Sequence, residues 1–176
     1  MDRKLRKNSL PDTHGTMKRL RNPFTRLEGY NCFGCSPDNP LGLHLEFTEE
    51  GDEIVSHWHP DKNFQGYFNI LHGGIQATLM DEIASWTVYV KVKTAGFTSK
   101  AEIRYLKSVG MDQGPITLRS KLKQMRRNLA DIEVHLFDKN NTLCAQGLLT
   151  FFTYPLEKSR ESMYYPDHGQ FYDDPA

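Results

Sequence analysis

FQGYFNILHGGIQATLMDEIASW, residues 64–86, decides how the rest of the chain folds. From Ile75 onward it is apolar with few breaks, yet it opens on a histidine and two glycines and carries Asp81 and Glu82 at its centre. Ile75, Leu79, Ile83, Trp86 and Val90 recur on one face of a helical period, and Ala77, Met80, Ala84, Thr87 and Val88 widen that face. The pattern predicts one long, mostly enclosed helix from His72 to about Lys91. A glycine inside a helix costs about 1 kcal/mol against alanine. At the first turn it instead lets another group approach the free backbone N–H donors, at the positive end of the helix dipole. His72-Gly73-Gly74 therefore reads as a cradle for an oxygen that gains negative charge. The same pair also reads as close packing of the helix end against a strand.

Asp81 follows Gly74 by seven residues, which puts both near one face of the helix but about 10 Å apart along its axis. One helix cannot bring them to a single carbonyl. If both act on one substrate, the acid comes from a second, antiparallel copy of the helix, so the spacing predicts a homodimer with two composite sites. Glu82 is rotated by about 100° and reads as a salt-bridge or helix-packing group, with second claim to the acid's role.

Around this helix the chain reads as strands. LGLHLEFTEE and EIVSHWHP, joined by Gly51-Asp52, alternate as a hairpin. After the helix come FTSKAEIRYLKSV, PITLRSKLKQMRR, LADIEVHLFDKN and TLCAQGLLTFFTY, rich in β-branched and aromatic residues and separated by turn signals. This is an α+β pattern in which an antiparallel sheet of about six strands wraps around one long central helix. The expected division is a basic N-terminal arm over residues 1–28, a single domain over 29–154 and a polar, aromatic-containing C-terminal tail over 155–176. That tail carries Tyr164, Tyr165, Phe171 and Tyr172 and reads as disordered.

Lys plus Arg equals Asp plus Glu, at 22 each, so no global field argues for nucleic acid or an anionic membrane as partner. The basic excess is local, with Arg3, Lys4, Arg6, Lys7, Lys18, Arg19, Arg21 and Arg26 in the first 30 residues, and reads as a solvated arm. No apolar region follows the basic start as a secretory signal requires, and the acids at the centre of the longest apolar stretch exclude a membrane span. The three cysteines favour a reducing cytoplasm over a disulfide scaffold.

HGGIQATLMDEIASW, preceded by FQGYFNILHGG, resembles the active-site helix of the hotdog-fold acyl-CoA thioesterases, in the branch similar to phenylacetyl-CoA thioesterase. CFGCSPDNPLGLHLEF upstream and TSKAEIRYLKSV downstream extend the likeness over roughly residues 30–153. The resemblance implies thioester hydrolysis of an acyl-CoA, aliphatic or aromatic, by a homodimer or a homotetramer built as a dimer of dimers. It implies no cofactor, coenzyme A being part of the substrate. Gly73 and Gly74 match the N–H donors to the thioester oxygen, His72 the residue that shapes their turn, and Asp81 the general base or nucleophile. Thr98, with Ser99 beside it, matches a hydroxyl that orients water. Where the family commonly holds an Asn, about six residues before the histidine, this chain has Gly66. Gln65 is the first substitute, with Asn63 and Asn69 nearby. The missing amide also leaves room for a non-catalytic acyl-CoA-binding module.

Apolar slots for pantetheine and acyl chains are expected along Ile75, Leu79 and Met80, and Lys121, Lys123, Arg126 and Arg127 offer cations for the coenzyme A phosphates. Cys32 and Cys35 have the spacing of half a zinc site. His57 and His59, which alternate on a strand, are the further ligands considered, and the alternative from outside the fold is a zinc-ribbon-like interaction module. Strand and core roles are commoner for both pairs, so no metal is expected.

Overall fold

The computed structural model describes residues 17–172. Arg3, Lys4, Arg6 and Lys7 of the expected basic arm, and residues 173–176, lie outside the described residues. Seven strands form one antiparallel sheet: β1 (Met17–Arg19), β2 (Thr48–Glu50), β3 (Glu53–Trp58), β4 (Gly96–Tyr105), β5 (Ile116–Arg126), β6 (Leu129–Phe137) and β7 (Leu143–Thr153). Their spatial order is β1-β2-β3-β5-β6-β7-β4. The long strands β5, β6 and β7 are a meander, as their turn signals require, while β4 crosses over to pair with β7.

Helix α1 (Gly73–Thr87) has 15 residues and passes into a five-residue π-turn, Val88–Val92, that ends at Lys93 in the left-handed region. It lies across one face of the sheet, against β3 to β7. Leu79, Met80, Ile83, Ala84 and Trp86 meet Leu118, Ile132, Val134 and Leu149 of that face to form the core. Burying side chains of this size contributes about 1.5–3 kcal/mol each.

This corrects the expectation of about six strands wrapped around one long central helix. The sheet has a seventh strand and stays open, with β1 and β4 as unjoined edges. The α-helix is shorter than expected, and a second one, α2 (Leu156–Met163), follows β7. β1 was invisible because Met-Lys-Arg has neither alternation nor an apolar face, and it pairs only because β2 presents a partner edge. Residues 43–47 also depart from the hairpin reading. Leu43, Leu45 and Phe47 are buried as their alternation requires, but Leu43 and Leu45 bond back to the loop at Phe33 and Gly34 rather than to a strand.

The C-terminal segment is packed, contrary to its polarity. The Ser159 hydroxyl bonds the Thr94 hydroxyl at 2.7 Å, and the Tyr165 hydroxyl donates to the Tyr89 carbonyl at 2.8 Å. Phe171 is fully buried beside Phe24, Trp86, Tyr89 and Tyr165. Four aromatic rings offset the polar composition that suggested disorder. No described helix is long and apolar enough to cross a membrane.

Candidate active site

His72 caps α1. Its Nδ1 accepts the Gly74 N–H at 2.9 Å and its carbonyl accepts the Gln76 N–H at 3.0 Å. The Gly74 donor is therefore occupied. The Gly73 N–H has no partner among the described residues. Gly73 lines a groove of about 610 Å³ together with Tyr67, Leu71, His72, Gln76, Tyr105 and Lys107. Gly66 has a physical reason to be glycine: a Cβ there would stand 3.2 Å from His72 Cδ2. An Asn at this position would crowd the His72 ring by a few tenths of an ångström.

Gln65 and Asn69 build the loop before the helix. Gln65 Oε1 accepts the Asn69 N–H at 3.2 Å, and Asn69 turns the chain at φ 58°. Neither bonds to Gly73 or Asp81 among the described residues.

Asp81 and Thr98 come together. The Thr98 hydroxyl donates to Asp81 Oδ1 at 2.6 Å, joining the middle of α1 to the start of β4. A β-bulge falls at this point, since Thr98 pairs with Phe151 and Lys100 with Thr150, leaving Ser99 as the extra residue. Bulges re-aim side chains, and here one residue of slip turns Thr98 toward the helix. Ser99 faces away and donates to the Thr150 carbonyl at 2.9 Å. Partial burial raises the Asp81 carboxyl above its ordinary range, and the Thr98 hydrogen bond opposes that shift. The result is a carboxylate more basic than a surface aspartate, held in one orientation.

The remaining expected site residues lie elsewhere. Met80 is fully buried against β7, its Cε reaching toward Gly147, so it belongs to the core and lines no groove. Lys123 lines a separate groove over β4, β6 and β7. Arg126 is engaged by Asp131, Nη2 to Oδ2 at 2.9 Å, and Arg127 holds the β5–β6 turn at φ 55°. None of the three lines the groove at the helix start, where Lys107 does. His57 bonds Thr117 on the exposed face of β3, and His59 is exposed beyond the strand.

Glu82 is the acid that sequence reasoning undervalued. Burial pushes its carboxyl up to about 7, and it accepts the Trp86 Nε1–H at 3.2 Å. Two other functional candidates were missed. Gln76, 4% exposed, donates Nε2–H to the Leu71 carbonyl at 3.0 Å and lines the groove, and its Oε1 has no partner among the described residues. A lone amide in the apolar first turn was the available signal. The Tyr105 hydroxyl donates to the Gly73 carbonyl at 2.9 Å and so ties the end of β4 to the start of α1. Only the crossover of β4 reveals that contact.

A sequence profile described as "Thioesterase superfamily" matches residues 68–145, which span α1 and β4 to β6. A protein of Sulfurisphaera tokodaii named "Putative esterase" is 32% identical over 107 residues, covering 61% of this chain and 78% of its own. This chain belongs to the thioesterase superfamily. "Putative esterase SSO1253" of Saccharolobus solfataricus is 29% identical over 118 residues, 66% of this chain and 76% of that protein. Among solved structures, smu.793 from Streptococcus mutans, bound to acetyl CoA, superposes with a TM-score of 0.60 at 18% identity, covering 74% of this chain and 98% of that one. At that identity the likeness shows the shared fold.

Proposed function

We propose that this superfamily member hydrolyses the thioester of an acyl-CoA, with Asp81 as the acid-base or nucleophilic group and the Gly73 N–H polarising the carbonyl. The observation that carries the reading is the Thr98–Asp81 pair, a desolvated carboxylate fixed by a hydroxyl in the middle of α1. As general base it takes a proton from water while the oxygen adds to the thioester carbon. The C–S bond then breaks, and the thiolate of coenzyme A leaves. As nucleophile it would form a mixed anhydride that water cleaves. Turnover in ¹⁸O-water separates the two, because only the anhydride route places the label in Asp81. That smu.793 holds acetyl CoA supports the substrate class.

Asp81 and Gly73 of one chain are about 12 Å apart along the helix, so the reading requires a homodimer. β4 supplies the geometry. It runs opposite to α1, with Thr98 at Asp81 and Tyr105 at Gly73. Its outer edge has no partner strand among the described residues, and Tyr67, Phe68, Phe97, Tyr105 and Leu106 expose apolar surface nearby. Such an edge is a template for strand pairing. Antiparallel pairing of two β4 edges about a twofold axis near Ala101–Glu102 sets Thr98 beside the partner subunit's Tyr105, and through it the partner subunit's Gly73.

A panel of aliphatic and aromatic acyl-CoAs, followed by free thiol release, tests the proposal. Asp81→Asn is expected to lower kcat by about 10²- to 10⁴-fold. Unchanged turnover in that variant refutes the assigned role. The second reading, an acyl-CoA-binding module without turnover, is favoured by Gly66 in place of an amide and by the occupied Gly74 donor. Saturable binding with no thiol release across the panel would select it.

A further inference from the structure

We propose that Cys32, Cys35 and Glu82 form a zinc site that fastens the 32–35 loop to the middle of α1. One ligand atom from each lies within 4.8 Å of the other two, the one such group of His, Cys, Asp and Glu side chains among the described residues. Cys32 Sγ stands 3.7 Å from both Glu82 oxygens. A tetrahedral zinc with bonds of about 2.3 Å to sulfur and 2.0 Å to oxygen separates those ligands by about 3.5 Å. Side-chain adjustments of an ångström or less close the triangle.

The surroundings are built for anionic ligands. The Tyr30 hydroxyl lies 3.1 Å from Cys35 Sγ, and Asn22 Nδ2 lies 3.4 Å from it while also donating to the Cys35 carbonyl at 3.1 Å. Trp86 Nε1–H meets Glu82. Cys35 and Glu82 thus each have a polar group behind them, the arrangement that orients and tunes metal ligands. Yet Glu82 forms no ion pair with a lysine or arginine among the described residues. Once both thiols are deprotonated the group holds three negative charges inside the protein, which a divalent cation offsets.

Gly34 belongs to the design. A Cβ there would fall 2.3 Å from Glu82 Oε2, so only glycine lets the loop close on the carboxylate. A groove of about 430 Å³, floored by Cys35 and Trp86 and rimmed by Arg19, Arg21 and Arg26, gives a way in from solvent. Two thiolates select zinc over the hard cations magnesium and calcium. The three protein ligands leave the fourth position to water. Binding replaces two S–H bonds by Zn–S bonds and releases both protons to solvent.

The test uses the reduced full-length chain, with zinc titrated against a chromophoric chelator and cobalt(II) as the spectroscopic probe. The expected result is one zinc per chain and a thiolate-to-cobalt charge-transfer band, with the thiol reactivity of Cys32 and Cys35 suppressed by zinc. Cys32→Ser and Cys35→Ser abolish the band, and Glu82→Gln weakens zinc binding by at least about 10-fold. Gly34→Ala weakens it by pushing the Glu82 carboxylate aside although all three ligand residues are retained, and Cys144→Ser leaves it unchanged. A wild-type chain that gives no cobalt–thiolate band overturns the proposal without reliance on any variant. So does zinc retained at full affinity by the Cys32→Ser, Cys35→Ser double variant. A Cys32–Cys35 disulfide as the sole chemistry, with Glu82→Gln silent, also overturns it.

Discussion

Met80→Ala separates the two roles open to that residue, a wall of the acyl slot or a strut of the core. The structure places it at zero exposure beneath β7. The substitution removes three heavy atoms beyond Cβ, worth about 2.4 kcal/mol at roughly 0.8 kcal/mol per methylene-sized group. An unfilled volume of about 50 Å³ adds about 1.2 kcal/mol at roughly 24 cal/mol per Å³. A loss near 3.5 kcal/mol corresponds to a fall in Tm of about 7–14 °C for a chain of this size. Gly147 offers an internal check, because a Cβ there would lie 3.1 Å from Met80 Cε and 3.2 Å from Leu149 Cδ1. Gly147→Ala alone should cost about 1–2 kcal/mol by overpacking, and less once Met80 is alanine. Chemical denaturation of the four chains gives the coupling, expected to exceed about 0.5 kcal/mol. KM for the best acyl-CoA should stay within about twofold, since no uniform binding contact is lost. A tenfold rise in KM with little loss of stability, or strict additivity with Gly147→Ala, would refute the core assignment.

Three further outcomes follow from the same geometry. Thr98→Val keeps the side-chain volume but removes the hydroxyl that lowers the Asp81 pKa, so the acid limb of the pH–rate profile moves up; a limb that stays in place, or moves down, contradicts the pair. Burial raises the Asp81 pKa in the folded state, so its ionisation destabilises the fold once pH climbs above the unfolded value of 3.8. Asp81→Asn should therefore raise Tm at neutral pH and leave it nearly unchanged in acid, which scanning calorimetry at two pH values checks. Phe68→Asp, at a residue 93% exposed, should leave the folded subunit's stability within about 0.5 kcal/mol while shifting sedimentation toward the monomer.

Local pattern carried the parts of the fold that local pattern builds. The β5–β6–β7 meander follows from alternating residues between turn signals, and α1 from a stripe ending where Lys93 turns left-handed. The remainder depends on contacts distant in sequence. Met-Lys-Arg becomes a strand only beside β2, β4 is an edge only because it crosses to β7, and Phe171 is ordered only by the rings around it. The candidate site divides in the same way. Asp81 was a candidate from spacing and resemblance and Thr98 from resemblance alone, and what the structure adds is the hydrogen bond between them, across two elements that the fold aligns. The occupied Gly74 donor was not, because it depends on the rotamer of His72. Glu82 was assigned to another surface correctly, but nothing in its neighbours along the chain announces Cys32 and Cys35 across 50 positions.

Leu20 bridges Tyr172, the Arg21 amide bonds the Phe171 carbonyl at 2.9 Å, and Phe24 packs on the Phe171 ring. The segment that follows β1 therefore completes its packing only against Phe171 and Tyr172. Without residues 165–172, Trp86 and Tyr89 lose Tyr165 and Phe171 as cover, and α1 is left with an apolar gap above it. Residues 20–24 and 165–172 therefore roof the same apolar surface together, and loss of either segment uncovers the other.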